Sequence, residues 1–277
     1  MKIKRFYLLS VVFVCFGIVF TGCSKDDNGP GSNTATSINA TVYNGSNYSF
    51  DNVKAVMYPE KSSNEYVAGS SSYSGGGFNI DLPGTVNNAY LYALVDENSD
   101  ELSSSWIKVS DNTAIGNSIN LEAYKSGNYQ GDFYYGAESQ NTSLTSFSMS
   151  VAEGLYLYVN KDVNITGSAT VTDNVDGIDV PTTTSAEVAL KKGWNIMYMI
   201  TSVSIRVNAS GNVTSANGTN LLTTQDPGGL KWYYEDDFNN LLSVSSALRS
   251  SQSGVSAKFL DDIQKTVSKY RIFPKSK

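Results

Sequence analysis

The chain reads as mainly β: two tandem antiparallel β-sandwich domains followed by a short helical C-terminal tail. Three observations predict this. From Ser37 to about Val207, short β-type runs are separated by clusters of Gly, Asn, Asp, Ser and Thr. Hydrophobic residues make up 40% of the chain, with 18 Tyr and 11 Phe, which is enough material to bury real cores. Beyond Asp236 the apolar spacing changes to the three and four residues of a helix. At roughly 150 residues per domain, a chain of 277 residues suits one or two domains.

The N-terminus carries an address. Lys2, Lys4 and Arg5 precede an apolar run from Phe6 to Phe20, broken only by Ser10 and Gly17. Such a run is shorter than the roughly 20 residues of a spanning helix and suits a secretory signal. It ends in Phe20-Thr21-Gly22-Cys23, which resembles the lipobox of bacterial lipoproteins, with Phe at the position where Leu is usual. The resemblance implies cleavage of residues 1–22 and lipidation of Cys23. Several acyl chains on one residue give stable anchoring. The signal also takes Cys15 with it, so the mature chain has no thiol for a disulfide and relies on packing.

Ser24-Lys25-Asp26-Asp27 resembles the acidic export tag that follows the lipidated cysteine in surface lipoproteins of the Bacteroidota. The likeness implies an outer-membrane, lipid-anchored protein facing the cell exterior. Residues 23–36, rich in Gly, Ser and Asn, read as a flexible tether.

The first sandwich is expected over 37–125, with strands at 37–43, 53–58, 65–69, 77–82, 89–95, 105–109 and 118–123. Both alternate sets of Ala89-Tyr-Leu-Tyr-Ala-Leu-Val95 are apolar, which predicts a central strand covered on both faces. In Gly75-Gly-Gly-Phe-Asn-Ile-Asp-Leu-Pro83, residues Phe78, Ile80 and Leu82 alternate inward. This segment, with Val53–Tyr58 before it, resembles strands of transthyretin-like and carboxypeptidase-regulatory-like sandwiches. Members of those families mostly display or space other elements and rarely catalyse.

The second sandwich is expected over 126–234, with strands at 129–135, 145–151, 154–160, 163–171, 185–190 and 194–200. Ala152-Glu153-Gly154 reads as a tight hairpin turn, and Lys192-Gly193 as a second one. The stretch around Gly193-Trp194-Asn195 is similar to strands in surface lipoproteins of the same phylum, without an attached function. In the tail, 235–277, Phe238, Leu241, Leu242 and Leu248 share one helical face. Phe259, Leu260, Ile263, Val267 and Tyr270 share another.

Composition excludes several classes of function. With no histidine, the chain lacks Ser-His-Asp and Cys-His schemes and imidazole metal sites. Twenty basic against 26 acidic residues argue against nucleic acid as a partner. Gly75-Gly76-Gly77 is not a phosphate loop, since no Lys-Ser/Thr follows, and no cofactor motif stands elsewhere. Asp96, Asn98 and Asp100 place oxygen ligands as a calcium loop begins. Glu101 and Ile107 then break the pattern, so a solvated turn is the better reading and calcium a weak one.

Trp232-Tyr233-Tyr234-Glu235 joins aromatic rings to a carboxylate, chemistry that suits a sugar, although such aromatics more often supply core area. The expected function is non-enzymatic, with no catalytic residue assigned. That expectation is of a surface binding or adhesion module for a glycan or a host or surface protein, held to the membrane by its lipid. The alternatives are a pilus-like assembly subunit, since fimbrial lipoproteins of this phylum resemble the tandem arrangement, and a glycoside hydrolase. A hydrolase would need a pair of carboxylates across a cleft.

Overall fold

The computed structural model describes residues 35–58, 65–94, 106–242 and 257–269, and these belong to one compact unit. Alternation of apolar and polar residues has produced strands of two sizes. The short ones are β1 (Ser37–Thr41), β2 (Asn52–Met57), β3 (Tyr66–Ser72), β4 (Gly77–Asp81), β5 (Tyr92–Ala93), β6 (Lys108–Val109), β7 (Ile115–Ser118) and β8 (Asn120–Lys125). The long ones follow as β9 (Asn128–Thr142), β10 (Ser146–Val159), β11 (Val163–Val175), β12 (Ile178–Leu190), β13 (Gly193–Val207) and β14 (Val213–Thr223). The chain closes with β15 (Lys231–Tyr234), α1 (Glu235–Leu242) and α2 (Ala257–Ser268). The fold is mainly β, of sandwich type, with short helices near the C-terminus.

Most strands belong to one hydrogen-bonded sheet in the order β3-β2-β8-β9-β10-β13-β14-β12-β11-β6, while β1 and β4 form a separate antiparallel pair. The boundary expected between 37–125 and 126–234 does not divide the chain into separate bodies. β8 and β9 are neighbours there, paired from Leu121↔Phe133 to Lys125↔Asn128. Ser126 and Gly127 turn the hairpin with φ of 51° and 78°, the left-handed pair that a tight two-residue turn needs.

Three further expectations are corrected. Ala152-Glu153-Gly154 is not a turn, because β10 runs unbroken through it and pairs with β13 over its whole length. The missing side chain at Gly154 makes room for the Tyr135 ring beside it. At Lys192-Gly193 the chain does turn, but β12 and β13 diverge and β14 lies between them, parallel to β12 and antiparallel to β13. The stretch expected as a central strand from Ala89 holds only a helical turn at Asn88–Tyr90 and the two exposed residues of β5.

Each face of the large sheet is covered in a different place. On β10, odd-numbered Phe147, Met149 and Val151 pack with Val203 and Ile205 beneath Phe259, Ile263 and Val267 of α2. The amide of buried Asn220 ties this helix down, donating to the Val267 carbonyl at 2.9 Å. Further along the same face, Leu157 and Val159 join Ile165, Val188 and Met197 in a second core. On the opposite face, Tyr156 and Tyr158 meet the largest core, built from β1, β2, β4, β8 and β15, where Phe78, Ile80 and Leu82 are buried as expected. Among the described residues no helix is long and apolar enough to cross a membrane.

Candidate functional site

The aromatic segment, weighed as a sugar contact against the commoner core role, is largely core. Trp232 is 6% exposed and stacks on Tyr135 at 4.9 Å between ring centroids, with Phe78 at 5.8 Å. Tyr233 is buried beside Tyr43 and Phe238. Tyr234 is half-buried against Tyr48 and Phe50, and its hydroxyl donates to the Gln130 carbonyl at 2.6 Å. Neither Trp232 nor Tyr233 offers an open ring face, because β15 pairs with β9 and turns both rings into contacts between layers. Glu235 begins α1 and its carboxylate accepts from the Asp132 backbone N–H at 3.4 Å.

That carboxylate belongs to a cluster that sequence spacing does not disclose. Lys54, Glu122 and Asp132 stand opposite one another on β2, β8 and β9 and so share one face of the sheet. Glu122 is buried and accepts from the hydroxyls of Tyr58 and Tyr124, the latter at 2.6 Å. The Lys54 ammonium lies 3.9 Å from the centre of the Tyr124 ring. Burial, followed by the hydrogen bond to Glu122, drives the Tyr58 and Tyr124 hydroxyls above the ordinary phenol range. Glu122 therefore acts as a lock that holds two tyrosines.

Burial also lifts the Asp132 carboxyl to about 6, with the Tyr129 hydrogen bond opposing and the charges of Glu122 and Glu235 adding. The folded protein holds this proton more tightly than the unfolded chain, whose aspartates titrate near 3.9. Stability contributed by the bound proton is lost as pH rises through the folded value, so stability should fall between about pH 4 and pH 6. Asp132→Asn should flatten that fall. Urea unfolding of both proteins across the window checks this, and equal slopes would acquit Asp132.

Glu122 and Asp132 stand side by side on neighbouring strands, not across a cleft, and the depressions found among the described residues lie elsewhere. Among those residues, no group of three or more Asp, Glu, His or Cys is arranged to hold a metal ion. Cys23, Ser24, Lys25, Asp26 and Asp27, and the calcium candidates Asp96, Asn98 and Asp100, lie outside the described residues.

A different surface stands out. On the face away from α2, a transverse row runs through six strands: Ser139, Ser150, Ser202, Thr219, Thr183 and Thr170. Every member carries a hydroxyl. A second row beside it holds Asn141, Ser148, Ser204 and Asn217. Ser202 donates to Ser150 at 2.9 Å, and the Thr170 and Thr183 hydroxyls are also 2.9 Å apart. A shallow depression of about 320 Å³ lies over Ser139, Ser150, Ser202 and Thr219. Beneath it, Met149, Val151 and Val203 fill the core and hold the strands rigid.

Sequence reasoning missed this face because it followed the inward apolar residues and passed over their outward neighbours. The signal was present as alternate hydroxyls in Ser146-Phe-Ser-Met-Ser150, Ser202-Val-Ser204 and Thr166-Gly-Ser-Ala-Thr170. Only strand pairing turns these separate runs into one row.

Comparison with protein-family models, with curated proteins and with solved structures finds no match for this chain. The site's own chemistry carries the functional argument.

Proposed function

We propose that this chain is a lipid-anchored, surface-displayed binding module without catalytic activity, which takes its ligand on the Ser/Thr/Asn face of the large sheet. The observation that carries the reading is the six-strand hydroxyl row, open to solvent with no covering layer among the described residues. Outer sheet faces are ordinarily kept soluble by interspersed charges. Here the central rows carry no charge, with Glu187, Asp179 and Arg206 standing only at outer positions of the face, and hydrogen-bonding groups stand in register along those rows. The lipobox-like segment ending at Cys23 supports anchoring, and the acidic residues after it support display.

The test uses the full chain expressed in an outer-membrane-bearing host. An amine-reactive label that cannot cross membranes should reach the protein on whole cells, and Cys23→Ser should release it from the membrane fraction. Cells displaying the protein should adhere to a polysaccharide and matrix-protein array. Ser202→Glu places a charge in the middle of the row, so those cells should label normally and fail to adhere. Undiminished adhesion of Ser202→Glu would place the site on another surface. A full chain that labels only after lysis would end the display reading.

A further inference from the structure

We infer that the ligand of this face is an uncharged polysaccharide chain laid across the strands, along the hydroxyl row. The inference rests on the binding reading above and narrows it to one chemical class.

Charge is the first argument. A third row, Ala137, Ala152, Ile200 and Leu221, continues to Ser185 and Ser168 on the other flank of the hydroxyl row. None of the three rows contains an acidic or basic residue. A sulfated or uronic glycan, a nucleic acid or a charged peptide would give up hydration here and gain no counter-charge, which is costly. An uncharged ligand meets no such penalty.

The second argument is the juxtaposition of polar and apolar rows. Ile200 and Leu221 are half-buried directly beside Ser202 and Thr219. A pyranose has the same two-sided character, with C–H groups on its ring faces and hydroxyls on its rim. It can cover the Ala/Ile/Leu row while exchanging hydrogen bonds with the Ser/Thr row. An apolar protein surface would leave the hydroxyls unpaired, at a cost of about 1–3 kcal/mol for each one buried.

Periodicity sets the direction. Neighbouring strands stand about 4.7–4.9 Å apart, on the order of the length of one sugar unit in an extended chain. A polysaccharide crossing the strands therefore meets a hydroxyl at each step over six strands. A chain running along β10 would meet Ser148 and Ser150 and then leave the hydroxyls at Ala152 and Gly154. Each Ser or Thr hydroxyl has one donor and two acceptor positions, so the Ser202–Ser150 bond leaves capacity on both residues for a ligand.

Affinity electrophoresis tests this with residues 24–277, which contain every described residue. Native gels contain a neutral β-glucan, a glucomannan or a galactomannan, beside alginate and polygalacturonate as anionic polymers. At least one neutral polymer should retard the protein and neither anionic one should. Ser202→Glu should abolish the retardation. The milder Ser150→Ala/Ser202→Ala pair should weaken binding by about fivefold or more while melting like the parent.

Retardation by anionic polymers alone, neutral binding unchanged in Ser202→Glu, or no retardation in any neutral gel would each overturn the inference. If neutral gels fail while displaying cells still adhere to protein spots in a Ser202-dependent way, the polysaccharide inference falls and the binding reading stands. Adhesion to nothing on the array ends both.

Discussion

Trp232→Ala is expected to lower the unfolding free energy by about 3–5 kcal/mol, as for other buried tryptophans cut back to a methyl group. Trp232 is 6% exposed, with Phe78, Tyr135 and Tyr156 packed around its rings. It also joins the N-terminal strand pair to the large sheet. Val42 bridges to Trp232, and the Tyr43 N–H donates to the Trp232 carbonyl at 2.7 Å. Alanine keeps that backbone bond and leaves a cavity too large for the surrounding aromatics to fill. Urea unfolding followed by circular dichroism measures the loss. An exposed sugar platform would behave otherwise, with stability within about 0.5 kcal/mol of the parent and ligand binding gone. That second pattern would mean Trp232 is not the core residue described above.

Gly218→Ala is expected to cost about 1–3 kcal/mol and to loosen α2, because a Cβ at this position would overlap the Val267 side chain. Gly218 lies on β14 beneath Val267 in the last turn of α2, two residues before Asn220, whose amide bonds the Val267 carbonyl. Val267→Ala alone should also destabilise, by about 1.5–3 kcal/mol, through lost burial. The Gly218→Ala/Val267→Ala double variant should lose clearly less than the sum, since trimming Val267 frees the space that the new methyl needs. A double-mutant cycle from urea midpoints reads this coupling directly. Strict additivity would show that α2 does not press on Gly218. Exposure of Phe259 and Ile263, seen as faster proteolysis of the tail in Gly218→Ala, would trace the cost to the helix.

The fold's local features were legible in particular residues. Phe147, Met149 and Val151 alternate along the chain and are buried together under α2. Phe78, Ile80 and Leu82 do the same in the first core. The two helices among the described residues of the tail fall where apolar spacing changes, at Glu235–Leu242 and Ala257–Ser268. The misreadings came from features whose meaning is not local. Gly154 looks like a turn because glycine commonly makes one. Its place opposite Tyr198 in β13, with the Tyr135 ring alongside, keeps it in a straight strand. The doubly apolar Ala89–Leu94 stretch suggested a central strand. Its apolar residues are divided instead, with Leu91 in the largest core and Leu94 in the core around Leu157.

The candidate site was least legible of all. Ser150, Ser202, Thr219, Thr183 and Thr170 are scattered along the sequence and meet only because β14 inserts between β12 and β13. The Glu122, Asp132 and Glu235 cluster likewise depends on β8, β9 and α1 coming together across more than a hundred residues.

By itself, the sequence determined which residues face inward along strands such as β4 and β10, where strand gives way to helix, and that no imidazole chemistry is available. Those properties follow from side-chain identity and from periods of two or about four residues, which act within a few neighbours. Tertiary structure alone decided that one sheet spans both expected domains, that β14 inserts between β12 and β13, and that hydroxyls from six strands form a row. Strand order and register are set by pairings between distant segments, and they are chosen by how the whole set of apolar faces can be buried at once.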